Sequence, residues 1–294
     1  MSTAEGDPAR VRVGYLGPEG TFSEEALLAS GDPDVVEPVA MATIFDAVTA
    51  AARGEVQWAL VPIENSIEGS IAVTLDLLAG RDAGVRIGGE ALLRVRHALI
   101  ASGPMDMAQI DTVLTHPQVP GQCTRFLRGE LPGAQILPST STAEAVRQVA
   151  QEPAPGRAAI GTRLAARIYG GVVLREGIED RDDNETRFVW VTAREGAPPL
   201  LAPGEGGWKS SLVFWGPGAD SPGWLLRCLS VFADRDINLT KIESRPRRGG
   251  LGSYMFFADL AAGAGEERVV DALAALGSLC EHVTVLGSYR SSAP

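Results

Sequence analysis

The chain has 294 residues, of which 45% are hydrophobic, enough for the buried cores of about two globular domains. Its formal net charge is −11 at pH 7 with acidic residues spread along the sequence, which argues against a nucleic-acid-binding protein. The start shows no signal-peptide pattern and no run approaches the ~20 apolar residues of a membrane span, so we expect a cytoplasmic protein without membrane contact.

In chain order, strand-like and helix-like segments alternate over the first two thirds of the sequence. VRVGYL is typical of a short strand, a glycine-rich turn follows, and SEEALLASG has helical spacing. The alternation continues through ATIFDAVTAAARGE, QWALVPIEN, SIAVTLDLLAGRD, VRHALIA, PMDMAQI, DTVLTH, GQCTRFLRGELPG, AQILPS, STAEAVRQVAQE, AAIGT, RLAARIYG, VVLREGI and TRFVWVTA. This pattern predicts an α/β fold whose helices cover the sheets, here divided between two similar lobes.

The last third of the sequence follows a different order. Residues 195–209 concentrate Pro and Gly without periodicity and predict a linker. The segments after it are typical of strand, helix, strand, strand, helix and strand, the ferredoxin-like βαββαβ arrangement. We therefore predict two domains, the first at 11–194, with lobes at roughly 11–90 with 175–194 and at 91–174, and the second at 210–290.

Hydroxyl side chains recur at predicted helix starts. In GPEGTFSEEA, Thr21 stands three residues before Glu24, the spacing of a capping box, and Ser23 adds a second hydroxyl. STSTAEAV repeats this spacing with Ser141 and Glu144. Plain capping explains both patterns, but a helix start also stabilises a bound anion. If the lobes face each other, these helix starts are expected to bind carboxylates without a cluster of Lys or Arg.

Two more polar segments follow predicted strands, where open α/β folds bind ligands. VPIENSIEGS contains Asn65, whose amide both donates and accepts hydrogen bonds. THPQVPGQC contains Gln118 and Gln122. Its His116 is more typical of a turn than of a proton shuttle, because no carboxylate partner stands nearby in the sequence. Three isolated cysteines and three histidines without metal-ligand spacing predict neither a disulfide nor a metal site.

Taken together, these motifs resemble those of the monofunctional prephenate dehydratases from about Val11 to Arg290. The resemblance rests on the ordered occurrence of GPEGTFS, VPIENSIEGS, HPQVPGQC, STSTAEA, AAIGT, IEDRDDNETRF and LTKIESRP. It implies a two-lobed catalytic region like a type II periplasmic-binding fold, followed by an ACT regulatory domain. It also implies decarboxylation and dehydration of prephenate to phenylpyruvate, CO2 and water in L-phenylalanine biosynthesis, without a cofactor.

The resemblance extends to single residues. Thr186 of TRF matches the essential threonine of the family, and Asn65 and Gln122 match polar active-site positions. Phe188 is expected either to pack on the substrate ring or to belong to the strand core, and Arg187 either to bind a substrate carboxylate or to pair with an acid such as Glu64. Further substrate-binding positions are expected at Thr21, Ser23, Ser66, Thr115, Ser139, Thr140, Ser141 and Thr142.

The implied reaction explains why such modest side chains suffice. Prephenate loses its ring carboxylate and its C4 hydroxyl as the ring becomes aromatic, so the main barrier is the departure of hydroxide. General acid assistance of this kind typically contributes ~10²–10⁴-fold. We hypothesise that Thr186 hydrogen-bonds the departing hydroxyl, although threonine is too weak an acid to protonate it unaided.

The C-terminal motif LTKIESRP resembles the ACT signature that helps bind phenylalanine, the feedback inhibitor of the family, between ACT domains. The implied effector positions are Gly223, Trp224, Leu225, Glu243, Ser244, Arg245 and Pro246. Trp224 replaces the alanine of the Gly-Ala-Leu run in the family, and its indole is expected either to fill the effector pocket or to lie in a subunit contact. A homodimer or homotetramer is expected, because the effector site needs paired modules.

Two other functions compete with the dehydratase. A prephenate decarboxylase would keep the C4 hydroxyl in its product, and the intact TRF motif favours dehydration instead. A non-catalytic amino-acid sensor built from a binding-protein fold and an ACT domain would tolerate the loss of Thr186 and Gln122, which are both present.

Overall fold

The computed structural model describes residues 10–80, 84–195, 205–216, 221–247 and 252–292, so most of the predicted linker lies outside the described residues. The strands are β1 Val11–Leu16, β2 Val36–Met41, β3 Trp58–Asn65, β4 Gly69–Ser70, β5 Val85–Arg94, β6 Ala98–Ala101, β7 Thr112–Thr115, β8 Gln135–Pro138, β9 Arg157–Gly161, β10 Val172–Glu176, β11 Glu185–Ala193, β12 Trp208–Trp215, β13 Leu239–Pro246, β14 Tyr254–Leu260 and β15 His282–Arg290. The helices are α1 Phe22–Ser30, α2 Ile44–Ala52, α3 Ala72–Leu78, α4 Val119–Gln122, α5 Thr124–Glu130, α6 Thr142–Gln151, α7 Arg163–Tyr169, α8 Trp224–Ala233 and α9 Glu267–Leu279, with a 3-10 helix at Met107–Gln109.

Lobe 1 is built on β1, β2, β3, β5 and β11, in which β1 pairs in parallel with β2 and β3. Strand β11 runs antiparallel between β3 and β5, and its side chains alternate between two faces. Phe188 and Trp190 pack in a core with α1, whereas Val189 and Val191 pack in the core that holds α2 and α3. This alternation places successive residues of β11 in different environments.

Lobe 2 is a second sheet of order β10-β6-β9-β7-β8, with α6 and α7 on one face and α5 on the other. The chain enters this sheet through residues 95–97 and returns through residues 177–184.

The predicted two-lobed α/β fold is confirmed. The segments of β2 and β5 are strands that the sequence pattern did not predict. The numerical domain boundaries stay predictions.

The C-terminal module has the predicted βαββαβ order, from β12 through α8, β13, β14 and α9 to β15. Its helices cover one face of its sheet, while the other face shares a hydrophobic core with lobe 1. Strand β15 pairs with β5 at Gly287 and Ile87, and any side chain on Gly287 would collide with the Ile87 carbonyl. The module and lobe 1 therefore share one sheet.

Among the described residues, no helix has the length and apolar character needed to cross a membrane.

Candidate active site

A cleft with a volume of about 480 Å³ lies between the two lobes, within the range typical of small-molecule sites. None of the described residues that line it is a lysine or an arginine. The lining is Leu16, Gly17, Pro18, Thr21, Phe22, Ser23, Ala42, Asn65, Glu68, Ile71, Val95, His97, His116, Gln118, Val119, Gln122, Thr140, Ser141, Thr142, Asn184 and Thr186. Within the described chain, no group of three His, Cys, Asp or Glu residues is placed to bind a metal ion.

The starts of two helices face this cleft from opposite lobes. At the start of α1, Thr21 accepts a hydrogen bond from the Glu24 N–H (3.4 Å) and donates one to the Leu16 carbonyl (2.9 Å). At the start of α6, Ser141 accepts from the Glu144 N–H at 3.0 Å. Both capping interactions were predicted from sequence spacing. The first N–H groups of a helix have no intrahelical acceptor, so each start also presents donors to an anion in the cleft.

Direct contacts between the lobes close the cleft beside α1. Thr162, at the start of α7 in lobe 2, donates to the Gly20 carbonyl of lobe 1 at 2.6 Å. Tyr169, at the end of α7, donates to the Glu19 carbonyl at 2.8 Å. Gly20 has a φ of +82°, and a side chain there would collide with Ala165 of α7. A glycine is therefore required where the turn of lobe 1 meets the helix of lobe 2.

Thr186 lies beside Asn65 at the edge of lobe 1, because β11 begins where its antiparallel neighbour β3 ends. The Asn65 Oδ1 accepts from the N–H groups of Ile67 and Glu68, both at 2.9 Å, which fixes the orientation of the amide. The Asn65 Nδ2 consequently faces Thr186 and donates to its Oγ1 at 3.0 Å. Because Oγ1 accepts this bond, the hydroxyl hydrogen of Thr186 is left to donate to another group.

A chain of amides extends from Asn65 across to lobe 2. The Nδ2 of Asn65 also donates to the Asn184 Oδ1 at 2.8 Å, so the Nδ2 of Asn184 is directed to the Gln122 Oε1, at 3.3 Å. The Nε2 of Gln122 then donates to the Glu68 carboxylate at 3.2 Å. The three residues that the sequence proposed as catalytic are thus brought together through Asn184.

Asn184 and His97 are site residues that sequence reasoning missed. Asn184 is buried and stands two residues before Thr186, and its place in NETRF was the available signal. The buried ring of His97 contacts the Gln122 Oε1 at 3.0 Å. Burial lowers the pKa of His97, against the opposing influence of Gln122 and Glu179, so its imidazole is neutral near neutral pH. His116 also lines the cleft, and its Nδ1 accepts from the Gln118 N–H at 3.4 Å.

Five of the predicted substrate-binding residues lie outside the cleft lining. Ser66 accepts from the Glu185 N–H at 3.0 Å, and the buried Thr115 donates to the Ile160 carbonyl at 3.0 Å. Ser139 is buried next to the lining residue Thr140. Phe188 belongs to the core of lobe 1, which is the second of its two expected roles.

Arg187 is the fifth of these residues and points away from Thr186. Its guanidinium donates to Glu90 (2.7 Å), to Asp259 (2.6 Å) and to the Tyr289 hydroxyl (2.8 Å). It also lies 3.6 Å from Glu64, so the expectation of an acidic partner fits the structure and that of a substrate carboxylate does not. Burial acts to raise the pKa of Glu90, but Arg187 and Lys209 outweigh it and the pKa is lowered.

The expected effector residues occupy several environments. The indole of Trp224 is buried in the core of the C-terminal module, beside Phe214 and Phe256, and its Nε1–H donates to the Leu279 carbonyl. The indole therefore packs inside one module, and an effector role for Trp224 stays a prediction. Gly223 and Leu225 flank it at the start of α8.

The remaining effector positions lie on β13, whose side chains alternate between two faces. Glu243 accepts a hydrogen bond from Ser70 of lobe 1, and Arg245 forms a two-pronged ion pair with Asp76 at 2.8 and 2.9 Å. Ser244 and Pro246 are exposed on the opposite face. Pro246 also lines a small cavity with Asp76 and Ala79 of lobe 1.

Two family models match successive parts of the chain. A model of the family "Prephenate dehydratase" matches residues 13–196, and a model of the ACT domain matches residues 218–278. The resemblance inferred from the ordered motifs is confirmed.

Similar proteins cover almost the whole chain. A prephenate dehydratase of Mycobacterium tuberculosis is 38% identical over 289 residues, which cover 95% of this chain and 87% of the relative. The structure of prephenate dehydratase from Arthrobacter aurescens in complex with L-Phe is 36% identical, with a TM-score of 0.85 over 96% of this chain and 90% of that one. A structure described as GqqA, a novel type of quorum quenching acylase, is 26% identical, with a TM-score of 0.82 and coverages of 96% and 98%.

Proposed function

The chain belongs to the prephenate dehydratase family, and we propose that the conversion of prephenate to phenylpyruvate, CO2 and water takes place in the cleft between its lobes. One observation carries the assignment of the site. The Asn65 amide donates to the Thr186 Oγ1, which directs the Thr186 hydroxyl hydrogen to a further acceptor at the cleft wall. The departing C4 hydroxyl of prephenate is the acceptor that the reaction supplies.

The reaction needs little more than this one donor and a fixed substrate. The electrons of the bond to the ring carboxylate move into the ring as CO2 leaves, and the bond between C4 and its hydroxyl breaks as the ring becomes aromatic. Negative charge develops on the departing oxygen, and a preoriented hydroxyl stabilises that charge. Thr186 keeps its own proton, and the hydroxide becomes water by taking a proton from solvent.

The two substrate carboxylates require binding sites in a cleft whose described lining has no lysine or arginine. We assign them to the helix starts at Thr21 to Ser23 and at Ser141 to Thr142, one from each lobe. Because the two starts belong to different lobes, a substrate that binds both also holds the lobes together. Gln122 and Asn184 line the same cleft and complete its polar wall.

We also propose that L-phenylalanine regulates the enzyme through the C-terminal module. The support is the L-Phe complex of the similar Arthrobacter aurescens structure and the match to the ACT domain. In the described part of the chain β13 is an edge strand, and its residues Ser244 and Pro246 are exposed. Their position suits an effector site shared between two modules, so a homodimer or homotetramer belongs to the proposal.

The decisive experiment is incubation of the purified protein with prephenate near neutral pH, followed by identification of the product by mass and ultraviolet spectrum. Phenylpyruvate formed faster than in a protein-free control is the expected result. A decarboxylated product that keeps its hydroxyl would identify a decarboxylase instead. Absence of turnover would support the sensor, and hydrolysis of an N-acyl substrate without prephenate turnover would support an acylase.

A further inference from the structure

His97 lies where the chain passes from the first sheet into the second, and its side chain is 2% exposed. Its ring packs edge-to-face against Phe22 of α1, with ring centroids 5.4 Å apart. Its backbone N–H donates to the Glu179 carboxylate at 2.9 Å, and its carbonyl accepts from the Ile178 N–H at 3.3 Å. The backbone of His97 therefore ties together the two segments that connect the lobes, and its ring packs against Phe22.

The hydrogen-bond chain of the cleft determines which nitrogen of His97 carries the proton. Asn65 is oriented by two backbone N–H groups, and this orientation sets Asn184 and then Gln122 in turn. The Gln122 Oε1 is consequently an acceptor, already bonded to the Asn184 Nδ2. The His97 Nε2, 3.0 Å from the same oxygen, must then be the donor.

The other ring nitrogen supports this assignment independently. The His97 Nδ1 is buried and has no hydrogen-bond partner among the described residues. Burying an acceptor nitrogen without a partner costs less free energy than burying an N–H donor without an acceptor. It also costs less than burying a charged imidazolium. The opposite tautomer would bury an unpaired N–H at Nδ1 and also place two acceptors against each other at Gln122.

We propose that His97 is a positioning residue for the reaction, held as the Nε2–H tautomer so that it holds Gln122 and Asn184 from one end of the hydrogen-bond chain in the orientation that Asn65 sets from the other end, beside Thr186. This inference rests on the proposed function for its kinetic consequence, but the tautomer itself does not depend on any activity. His97 does not reach the reacting atoms through this chain. Its effect is to exclude the flipped orientation of the Gln122 amide. In that orientation the Gln122 Nε2 would face the Asn184 Nδ2, and two donors would oppose each other.

The test uses two substitutions of similar size and polarity. His97→Gln places an amide nitrogen near the position of Nε2, whereas His97→Asn places one near Nδ1 and leaves the Gln122 Oε1 with the Asn184 donor alone. We expect His97→Asn to lower kcat by about five- to tenfold, the usual effect of one neutral hydrogen bond, with KM within about twofold of wild type. His97→Gln should retain kcat within about twofold.

Two further measurements separate positioning from a merely structural role. Long-range proton–nitrogen correlation spectra of the wild-type protein, labelled on histidine nitrogen, should show the Nε2–H tautomer of a buried neutral ring. Thr192→Val removes a buried hydrogen bond to the Gln57 carbonyl far along β11 from Thr186, and should lower thermal stability while kcat stays unchanged. Thermal unfolding of the His97 variants shows how much of their loss is stability alone.

An Nδ1–H tautomer would overturn the proposal, and so would equal kcat values for the Gln and Asn variants. If wild-type protein does not turn over prephenate, the proposed function fails, yet the spectrum still decides whether the hydrogen-bond chain ends at His97 as inferred. The two failures are therefore distinguishable.

Discussion

Thr186→Val is the sharpest perturbation of the proposed reaction. Valine has nearly the shape of threonine, so the buried position next to β3 is retained while the hydroxyl is lost. The lost group is the donor that Asn65 directs into the cleft. Removing one preoriented donor from a developing oxyanion typically lowers kcat by ~10²–10³-fold, which corresponds to about 2.7–4 kcal/mol of transition-state stabilisation.

The KM of Thr186→Val should stay within about twofold of wild type, because the proposed carboxylate sites at the starts of α1 and α6 are unchanged. The assay is steady-state formation of phenylpyruvate from prephenate, with Thr186→Ser as the variant that keeps the hydroxyl. The serine variant should retain a kcat within about tenfold of wild type. A change confined to KM, or equal losses in the valine and serine variants, would refute the role given to the hydroxyl.

Three other predictions test the surroundings of the site. Glu68→Gln should lower the KM for prephenate about threefold at low salt. The reason is that the repulsion between a carboxylate and a substrate anion ~6 Å apart in water is roughly 0.7 kcal/mol. A raised KM in steady-state kinetics would contradict this. The pKa of Glu90 is lowered in the folded protein, so its contribution to stability is present above the unfolded value of ~4.3 and is lost as the pH falls through the folded value. Thermal unfolding below pH ~4.3 should therefore depend less on pH in Glu90→Gln, and an equal slope would count against the ion pairs with Arg187 and Lys209. Trp224→Ala should lower the free energy of unfolding by about 3–5 kcal/mol in denaturant titrations, and a loss below ~1 kcal/mol would contradict its place in the core.

Much of the candidate site could be predicted because its signals are local. A capping residue and the N–H it binds are three positions apart, so Thr21 and Ser141 are recognisable as helix starts from spacing alone. Thr186, Asn65 and Gln122 came from motifs whose order resembles a known family, and the structure places all three on the cleft wall.

The residues for which two roles stayed open show the limit of a one-dimensional pattern. Arg187 and Phe188 follow Thr186 directly, and the sequence did not choose between a substrate contact and an ion pair for Arg187, or between a substrate contact and the strand core for Phe188. The direction of each side chain depends on which face of β11 it occupies and on which residues pack against that face. Arg187 faces acidic groups that come from Glu90 and from Asp259 of the C-terminal module, which lie far from it in sequence.

The sequence by itself determined the class of fold, the order of the two modules and the helix caps at Thr21 and Ser141. These features follow from hydrophobic periodicity and from interactions that span a few residues. Only the tertiary structure decided that β15 joins β5, and that His97, Gln122, Asn184 and Asn65 form one hydrogen-bonded chain to Thr186. Asn65 and Asn184 are separated by 119 positions, and the chain itself holds them at no fixed distance until β3 and β11 have paired.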